Sequence, residues 1–490
     1  MSPLDLSTHG RTSDWSPVHA TVAGFGVTGF AAADNLTHLG ARVTALDDTT
    51  TAAKAEQGQL LEVLGADVRL GEGSTATLPE GTDLLVVSPG WRPDHPLLRQ
   101  AEARGVPVWG EVELAWRLRD PEHPAPWLAV TGTNGKTTTV QMLHAILTAA
   151  GLRSAAVGNV GRPVVEAVMD PDPYDVFAVE LSSFQLHYTH SVACESAAVL
   201  NIAEDHLDWY SGPSGMADYT ADKGRIYRSV ERACVYNAAD PATEELVREA
   251  DVQEGARAIG FTLGMPSVGM VGLVDDILAD RAFVEERHSS AAELCTVGDL
   301  ASSAPHYIAN ALAAAALARA HGVSQAAVRA GLSGFRPDGH RIATVAEADG
   351  ITWIDDSKAT NPHAAQSSLA AYDPVVWIAG GLAKGARFDD LVQAVRSRLR
   401  GVVLLGRDRH VIAEALSRHA PDVPVIVVGE GDTDPEHGPM ARVVAAANEL
   451  ARTGDTVLLA PGCASMDMFS DYAARGDAFA AEVRRSTGRG

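Results

Sequence analysis

The sequence predicts an α/β protein of three consecutive domains, each a mainly parallel sheet wound with helices. Short apolar strands alternate with helical stretches, the pattern of βαβ units. The length of 490 residues is about three times an ordinary domain of roughly 150. A proline-rich run, Asp120-Pro121-Glu122-His123-Pro124-Ala125-Pro126, interrupts the pattern. Proline fixes φ and removes a backbone donor, so this run suits a linker.

In the first domain, residues 1–120, Val18 to Ala23 reads as a strand and Gly24 to Gly29 as a turn. Phe30 to Gly40 reads as a helix closed by glycine. Val43 to Leu46 and Leu84 to Val87 are further strands, the second followed by Ser88-Pro89-Gly90. The turn Gly24-Phe25-Gly26-Val27-Thr28-Gly29 matches GxGxxG, and Asp47 follows 23 positions after Gly24. Alone, that spacing suggests a dinucleotide site, with NAD the obvious ligand.

The second domain, residues 121–337, opens with the strand Trp127 to Thr131, a glycine loop and a helix from about Thr137 to Ala150. Val140, Leu143, Leu147 and Ala150 share one helical face, and Gly151 is a C-cap. Val176 to Val179 and Ala197 to Leu200 read as buried parallel strands. Tyr307 to Ala320 is an alanine-rich helix, and residues 265–300 show no clear period. The third domain, residues 338–490, begins near Phe335-Arg336-Pro337-Asp338-Gly339. Strands are expected at Ile351 to Ile354, Val375 to Ala379, Val402 to Leu405, Val425 to Val428 and Thr456 to Ala460, a second doubly wound pattern.

Composition narrows the function classes. With 39 basic and 63 acidic residues the net charge is −24, which argues against nonspecific binding to nucleic acid or an anionic membrane. Hydrophobic content of 46% with only 6% aromatics fits cores of Ala, Val and Leu. Cys194, Cys234, Cys295 and Cys463 form no CxxC pair, so reduced, buried thiols of a cytoplasmic protein are expected. Met1 to Trp15 has no apolar core, hence no signal peptide, and no uncharged stretch reaches the roughly 20 apolar residues of a membrane helix. A monomer acting on small molecules is expected.

The sharpest local signal is Val130-Thr131-Gly132-Thr133-Asn134-Gly135-Lys136-Thr137 between a strand and an amphipathic helix. Glycines let backbone N–H groups approach phosphate oxygens, and the helix N-terminus adds partial positive charge. Lys136 suits the terminal phosphates and the Thr137 hydroxyl suits Mg²⁺. The spacing is shorter than GxxxxGK[ST], with Gly132 three positions before Gly135. Glu180 stands at the carboxyl end of the next strand, where ligands of open parallel sheets bind. Asn201 ends another strand, with Glu204-Asp205-His206-Leu207-Asp208 beyond it. His206 could hold a second hard cation or touch a phosphoryl group. Lys223, taken alone, reads as a solvated helix lysine.

These stretches resemble the Mur ligases and their relative folylpolyglutamate synthase. Thr131 to Thr137 looks like their ATP loop. Glu180-Leu181-Ser182-Ser183-Phe184-Gln185-Leu186, Asn201 to Tyr210, Asp356-Ser357-Lys358-Ala359-Thr360-Asn361 and Ala460-Pro461-Gly462-Cys463-Ala464-Ser465 resemble the D-glutamate-adding branch. The likeness runs in order through about residues 18–485. It implies a Rossmann-like domain for a UDP substrate, a central P-loop ATPase domain and a Rossmann-like amino-acid-binding domain. The implied reaction is ATP-dependent addition of D-glutamate to UDP-N-acetylmuramoyl-L-alanine through an acyl phosphate, in peptidoglycan precursor synthesis.

The resemblance also assigns residues. Gly132, Thr133, Asn134, Gly135, Lys136, Thr137, Thr138, Asn310, Arg341, Asp356 and Lys358 would bind ATP, with His340-Arg341 at a hinge. Of two Mg²⁺ ions, Thr137 and Glu180 would hold one, His206 and Lys223 the other. Lys136, Glu180, His206 and Lys223 would carry catalysis. Lys223 matches a lysine that the family carbamylates, which requires a neutral amine although an unperturbed lysine titrates near about 10.4. Gly26, Thr28, Gly29, Asp47, Ser88, Pro89, Gly90, Asn159, Ser182 and Gln185 would bind the UDP substrate, and Thr360, Lys384, Ser465 and Tyr472 the D-glutamate. Two positions depart from the family pattern. Tyr307 stands where an asparagine near adenine is usual, and Tyr472 where a phenylalanine is usual. Altered ATP binding is expected from the first.

Overall fold

The structure, a computed structural model, describes residues 4–210, 214–337, 339–429 and 438–488. Asp338, within the run expected to open the third domain, lies outside the described residues, as do residues 1–3 of the amino-terminal stretch. The described residues form three sheets. In the first, all strands are parallel, in the order Asp67–Leu70, Arg42–Asp47, His19–Ala23, Leu84–Val87, Val108–Gly110. The chain starts in the middle and winds outward both ways, which opens a crevice at the carboxyl end of His19–Ala23.

The second sheet runs Ala292–Thr296, Ile277–Asp280, Met270–Val274, Arg257–Phe261, Ala233–Asn237, Ser196–Val199, Trp127–Thr131, Val176–Glu180, Ser154–Gly158. From Met270–Val274 onward it is parallel. Residues 265–300, unreadable in sequence, supply the antiparallel edge, with Ile277–Asp280 paired on both sides. Its central strands are short and fully buried, so they read as apolar runs rather than alternations. The third sheet runs Ala343–Ala348, Ile351–Asp355, Thr456–Leu459, Val375–Gly380, Leu399–Leu405, Val425–Val427. It is parallel except for the first pair. Helix starts follow capping chemistry: Thr51, Ser182, Asp240, Ser324, Asn361 and Asp471 each accept a hydrogen bond from a backbone N–H two or three residues on.

By its internal contacts the chain divides into two units. The first holds the first two sheets; the second holds residues 336 onward with 203–216 and 304–306. Inside the first unit one apolar core joins Trp15, Val22 and Val112 to Trp127, Val165 and Val199. Polar contacts reinforce the join. The Glu113 carboxylate accepts from the N–H groups of His190 and Ser191 at 2.7 and 3.0 Å, from the Ser191 hydroxyl at 2.6 Å and from Arg117 at 2.8 Å. Tyr188 donates to the Trp91 carbonyl at 2.6 Å.

Glu111 is less well served. Its Oε1 accepts from Val165 N at 2.6 Å, while Oε2 is buried with no partner among the described residues. Burial pushes this carboxyl from 4.5 up to about 7. The folded chain therefore keeps a proton that the unfolded chain has already lost above about pH 4.5. Stability from this site is full at low pH and declines as pH rises through about 7. Glu111→Gln removes that slope. Its melting temperature is expected to exceed that of the parent by roughly 2–6 °C at alkaline pH, with the gap closing toward pH ~5. A gap independent of pH would refute the buried-proton account.

Candidate active site

The phosphate loop leaves the buried strand Trp127–Thr131 and enters the helix Lys136–Ala149. Gly132 and Gly135 take φ values of +151° and +85°. A Cβ at Gly135 would stand 2.4 Å from Asn310 Oδ1, so glycine is required there and Asn310 is placed against the loop. Asn201 braces the turn: its carbonyl accepts from Thr133 N at 2.9 Å and its Oδ1 from Asn134 N at 2.8 Å. Its own amide donates to the Asn134 carbonyl at 3.1 Å. Lys136 folds back and donates to the carbonyls of Gly132 and Thr133, both at 2.9 Å. Thr137 is half-buried and Thr138 buried in the first helical turn, where backbone N–H groups lack intrahelical acceptors.

Glu180 ends the neighbouring strand, in register with Val130 of the loop strand. Only 1% of it is exposed. Asn159 donates its side-chain amide to Glu180 Oε1 at 2.7 Å and its backbone N–H to the Glu180 carbonyl at 2.9 Å. Glu180 Oε2 is buried with no hydrogen-bond partner among the described residues. An unpaired carboxylate oxygen away from water is expensive unless a cation completes it. Among the described residues no group of three His, Cys, Asp or Glu side chains forms a metal cage. One carboxylate and one hydroxyl, Glu180 and Thr137, nonetheless fit Mg²⁺, which fills its remaining positions with phosphate oxygens and water.

Lys223 is 2% exposed, so the solvated reading fails. It donates to the Gly132 carbonyl at 2.8 Å, and its ammonium lies 4.6 Å from the Tyr219 ring centroid. Tyr219 in turn meets the Thr133 hydroxyl at 2.9 Å. Beside it, Asp222 contacts His187 Nδ1 at 2.8 Å and Arg225 Nε at 3.0 Å, fastening this segment to the short helix Ser183–His187. Ser182 and Gln185 form a capping box at the start of that helix. The first unit thus gathers Lys136, Lys223 and Asn310 about one loop, with Glu180 on the adjoining strand. His206 falls in the second unit. Its φ is +56°, its N–H donates to Asp205 Oδ1 at 2.9 Å, and Asn361 reaches Asp205 Oδ2 at 3.3 Å.

In the first sheet's turn, a Cβ on Gly29 would fall 1.8 Å from the Gly24 carbonyl, so helix and strand pack only through glycine. Gly26 is exposed with nothing within 4 Å of such a Cβ, and Thr28 beside it is half-buried. Asp47 accepts from Phe25 N at 2.7 Å, Thr49 N at 2.8 Å and Lys54 at 2.6 Å. Burial works to raise its carboxyl, but Lys54 and these N–H groups outweigh it and hold it at about 2. The Ser88 hydroxyl donates to the Gly24 carbonyl at 2.9 Å, ahead of half-buried Pro89 and exposed Gly90.

In the second unit the loops at the carboxyl ends of the strands are stitched by backbone bonds. Gly462 N donates to Ala359 O at 2.8 Å, and Leu382 and Ala464 exchange bonds of 2.8 and 3.0 Å. This brings the loops of Thr360, Lys384 and Ser465 to one end of the sheet. Lys384 is exposed at φ +50°, Ser465 is buried, and Lys358 lies 3.8 Å over the Tyr472 ring. Asp356 is buried, with its carboxylate turned to the Ser368 hydroxyl. Sequence reasoning overlooked Arg475, which is 1% exposed and donates to Ser357 Oγ, Ser357 O and Cys463 O at 2.8–3.0 Å. An arginine in an amphipathic helix gives no sign of facing inward.

Tyr307 is buried, and its ring stacks on Phe335 at 6.5 Å and 27°. It lies one helical turn before Asn310, on the same side of the helix Pro305–His321. Tyr307→Asn exchanges this stacked surface for an amide, and ATP affinity is expected to change by about 3- to 10-fold. Equilibrium binding of ATP at an unchanged Kd would exclude Tyr307 from the adenine region.

Comparison with known proteins covers all three segments. Residues 18–110 match the Mur ligase MurD-like N-terminal domain, 130–318 the Mur ligase middle domain and 340–463 the Mur ligase glutamate ligase domain. The UDP-N-acetylmuramoylalanine–D-glutamate ligase of Streptomyces avermitilis is 62% identical over 472 residues, covering 96% of this chain and 99% of the relative. The protein of the same name in Thermobifida fusca is 55% identical, covering 95% and 98%. Among solved structures, a pseudomurein peptide ligase type C from Methanothermus fervidus superposes with a TM-score of 0.57 at 17% identity over 95% of this chain and 99% of its own. MurF ligase from Thermotoga maritima, solved with ADP, gives 0.55 at 15% over 98% and 99%. Likeness at that identity establishes the shared three-domain fold.

Proposed function

The chain belongs to the Mur ligase family, and we propose that it joins D-glutamate to UDP-N-acetylmuramoyl-L-alanine with cleavage of ATP to ADP and phosphate. It is an ATP-dependent ligase of peptidoglycan precursor synthesis. The observation that carries the chemistry is the buried, half-satisfied carboxylate of Glu180 on the strand beside a phosphate loop.

A carboxylate resists attack by an amine because it carries no leaving group. Phosphorylation of the alanyl carboxylate by ATP supplies one. Gly132 to Thr138 and the helix N-terminus receive the phosphates, with Lys136 exchanging its two loop carbonyls for phosphate oxygens. Thr137 and Glu180 would hold one Mg²⁺, and His206 with Lys223, the latter as its carbamate, a second; the ions would supply charge neutralisation for the transferred phosphoryl group. Asn310, Arg341, Asp356 and Lys358 bind the nucleotide. The GxGxxG turn, with Gly26, Thr28, Gly29 and Asp47, receives the UDP end together with Ser88, Pro89, Gly90, Asn159, Ser182 and Gln185. Thr360, Lys384, Ser465 and Tyr472 orient D-glutamate so that its amine attacks the acyl phosphate and phosphate departs. Among the described residues no helix is long and apolar enough to cross a membrane. Buried free thiols at Cys194, Cys234, Cys295 and Cys463 suit a cytoplasmic setting.

The test is phosphate release from ATP by the purified protein with Mg²⁺ and UDP-N-acetylmuramoyl-L-alanine, adding D- or L-glutamate in parallel. Release that requires D-glutamate, with a product heavier by one glutamyl unit, is expected. No release with either isomer, from folded protein, would overturn the proposal.

A further inference from the structure

Trp91 lies in the loop that leaves the strand Leu84–Val87, directly after Ser88-Pro89-Gly90. That strand pairs with His19–Ala23, and from His19–Ala23 the sheet grows outward in both directions. The loop of Trp91 and the turn Gly24 to Gly29 therefore flank the switch point of the first sheet, where ligands of such sheets bind. The indole leans over the turn. A Cβ on Gly24, whose φ is +90°, would stand 2.6 Å from Trp91 Nε1 and 2.7 Å from Ser88 Oγ. Only glycine admits that approach. The Ser88 hydroxyl is committed to Gly24 O at 2.9 Å, whereas the indole N–H meets no acceptor among the described residues.

Three contacts fix the attitude of this half-buried side chain. Trp91 N donates to Ser88 O at 3.2 Å, and the Tyr188 hydroxyl donates to Trp91 O at 2.6 Å. The indole packs edge-on against His95, with centroids 4.4 Å apart and planes at 68°. His95 is itself held, its Nδ1 accepting from Leu97 N at 3.2 Å at the start of helix Pro96–Arg104. Tyr188 is buried and follows directly on the helix Ser183–His187, so the stretch that carries Ser182 and Gln185 also pins Trp91. All these residues lie in the first unit. An indole nitrogen donates and cannot accept. A fixed, unmatched donor over a glycine turn suits an anionic oxygen, and a diphosphate is the anion that such a turn receives.

We propose that Trp91 is a binding residue for the UDP substrate, its indole N–H donating to a diphosphate oxygen held at the turn Gly24 to Gly29. The proposal rests on the reading of that turn as the site of the UDP end.

The test uses the full-length protein carrying nitrogen-15 in its tryptophan indoles, with ADP and Mg²⁺ present to fill the central phosphate loop and UDP as the probe. Trp91→Phe identifies the Trp91 N–H signal by its loss and keeps an aromatic ring against Gly24 and His95. In the parent, UDP is expected to move that signal downfield. In Trp91→Phe the Kd of UDP is expected to rise by about 10-fold, and KM for UDP-N-acetylmuramoyl-L-alanine with it, while KM for ATP stays unchanged. Trp91→His returns a ring N–H and should bind UDP more tightly than Trp91→Phe, which packing alone would not bring about. Trp91→Phe binding UDP as tightly as the parent, or an N–H signal that UDP leaves in place, would overturn the proposal. If UDP fails to bind the parent at all, the reading of the turn falls and the proposal with it.

Discussion

Glu180→Gln is expected to lower kcat for phosphate release by ~10³-fold or more while leaving the melting temperature within about 2 °C of the parent. The two halves of this result follow from one geometry. Glutamine keeps an oxygen for the Asn159 amide, which donates to Glu180 Oε1 at 2.7 Å. The second position is already without a hydrogen-bond partner among the described residues, so the fold loses little there. What disappears is the negative charge and the oxygen free to bind a cation beside the phosphates. Hard divalent ions need anionic or carbonyl oxygens, and an amide nitrogen gives them nothing. Activity should therefore fail without unfolding, and raising Mg²⁺ should recover only a small part. A variant within a few-fold of the parent at ordinary Mg²⁺ would remove Glu180 from the metal site.

Much of this site was legible from local sequence. The loop Gly132 to Thr137 announced itself because its glycines, lysine and helix start are contiguous, and buried strands such as Trp127–Thr131 and Val176–Glu180 appeared as short apolar runs, whereas the parallel strands Asp67–Leu70, Val108–Gly110, Ser154–Gly158, Ala233–Asn237 and Arg257–Phe261 were missed. Strand ends then located Glu180 and Asn201, since ligands gather at that edge. Residues 265–300 escaped because two of their strands alternate only weakly and pair antiparallel at a sheet edge. Supporting contacts escaped for another reason: they join residues far apart in the chain. Asn201 braces a loop 67 positions earlier, Asn159 binds Glu180 across 21, and Arg475 holds Ser357 across 118. The burial of Lys223 was equally hidden. A lysine near the end of a ten-residue helix looks solvated until its helix is seen to turn it onto the Gly132 carbonyl.

That burial makes Lys223 the second position of large expected effect. Lys223→Ala should reduce kcat by ~10²- to 10³-fold, and Lys223→Arg decides why. If the amine acts as a cation holding Gly132 O, a guanidinium can still donate to that carbonyl and should retain a substantial fraction of activity. If the amine instead carries a carbamate, the residue is an anion at the moment of use. Arginine cannot form it, because its guanidinium stays protonated and is no nucleophile toward CO₂. The carbamate account predicts that Arg and Ala variants are equally inactive and that the parent loses activity in CO₂-depleted buffer. It also predicts a carbon-13 carbamate resonance from labelled bicarbonate in the parent that both variants lack. An active Lys223→Arg protein without that resonance would assign Lys223 to the loop as an ammonium. The second Mg²⁺ would then be left to His206 and the phosphate oxygens alone.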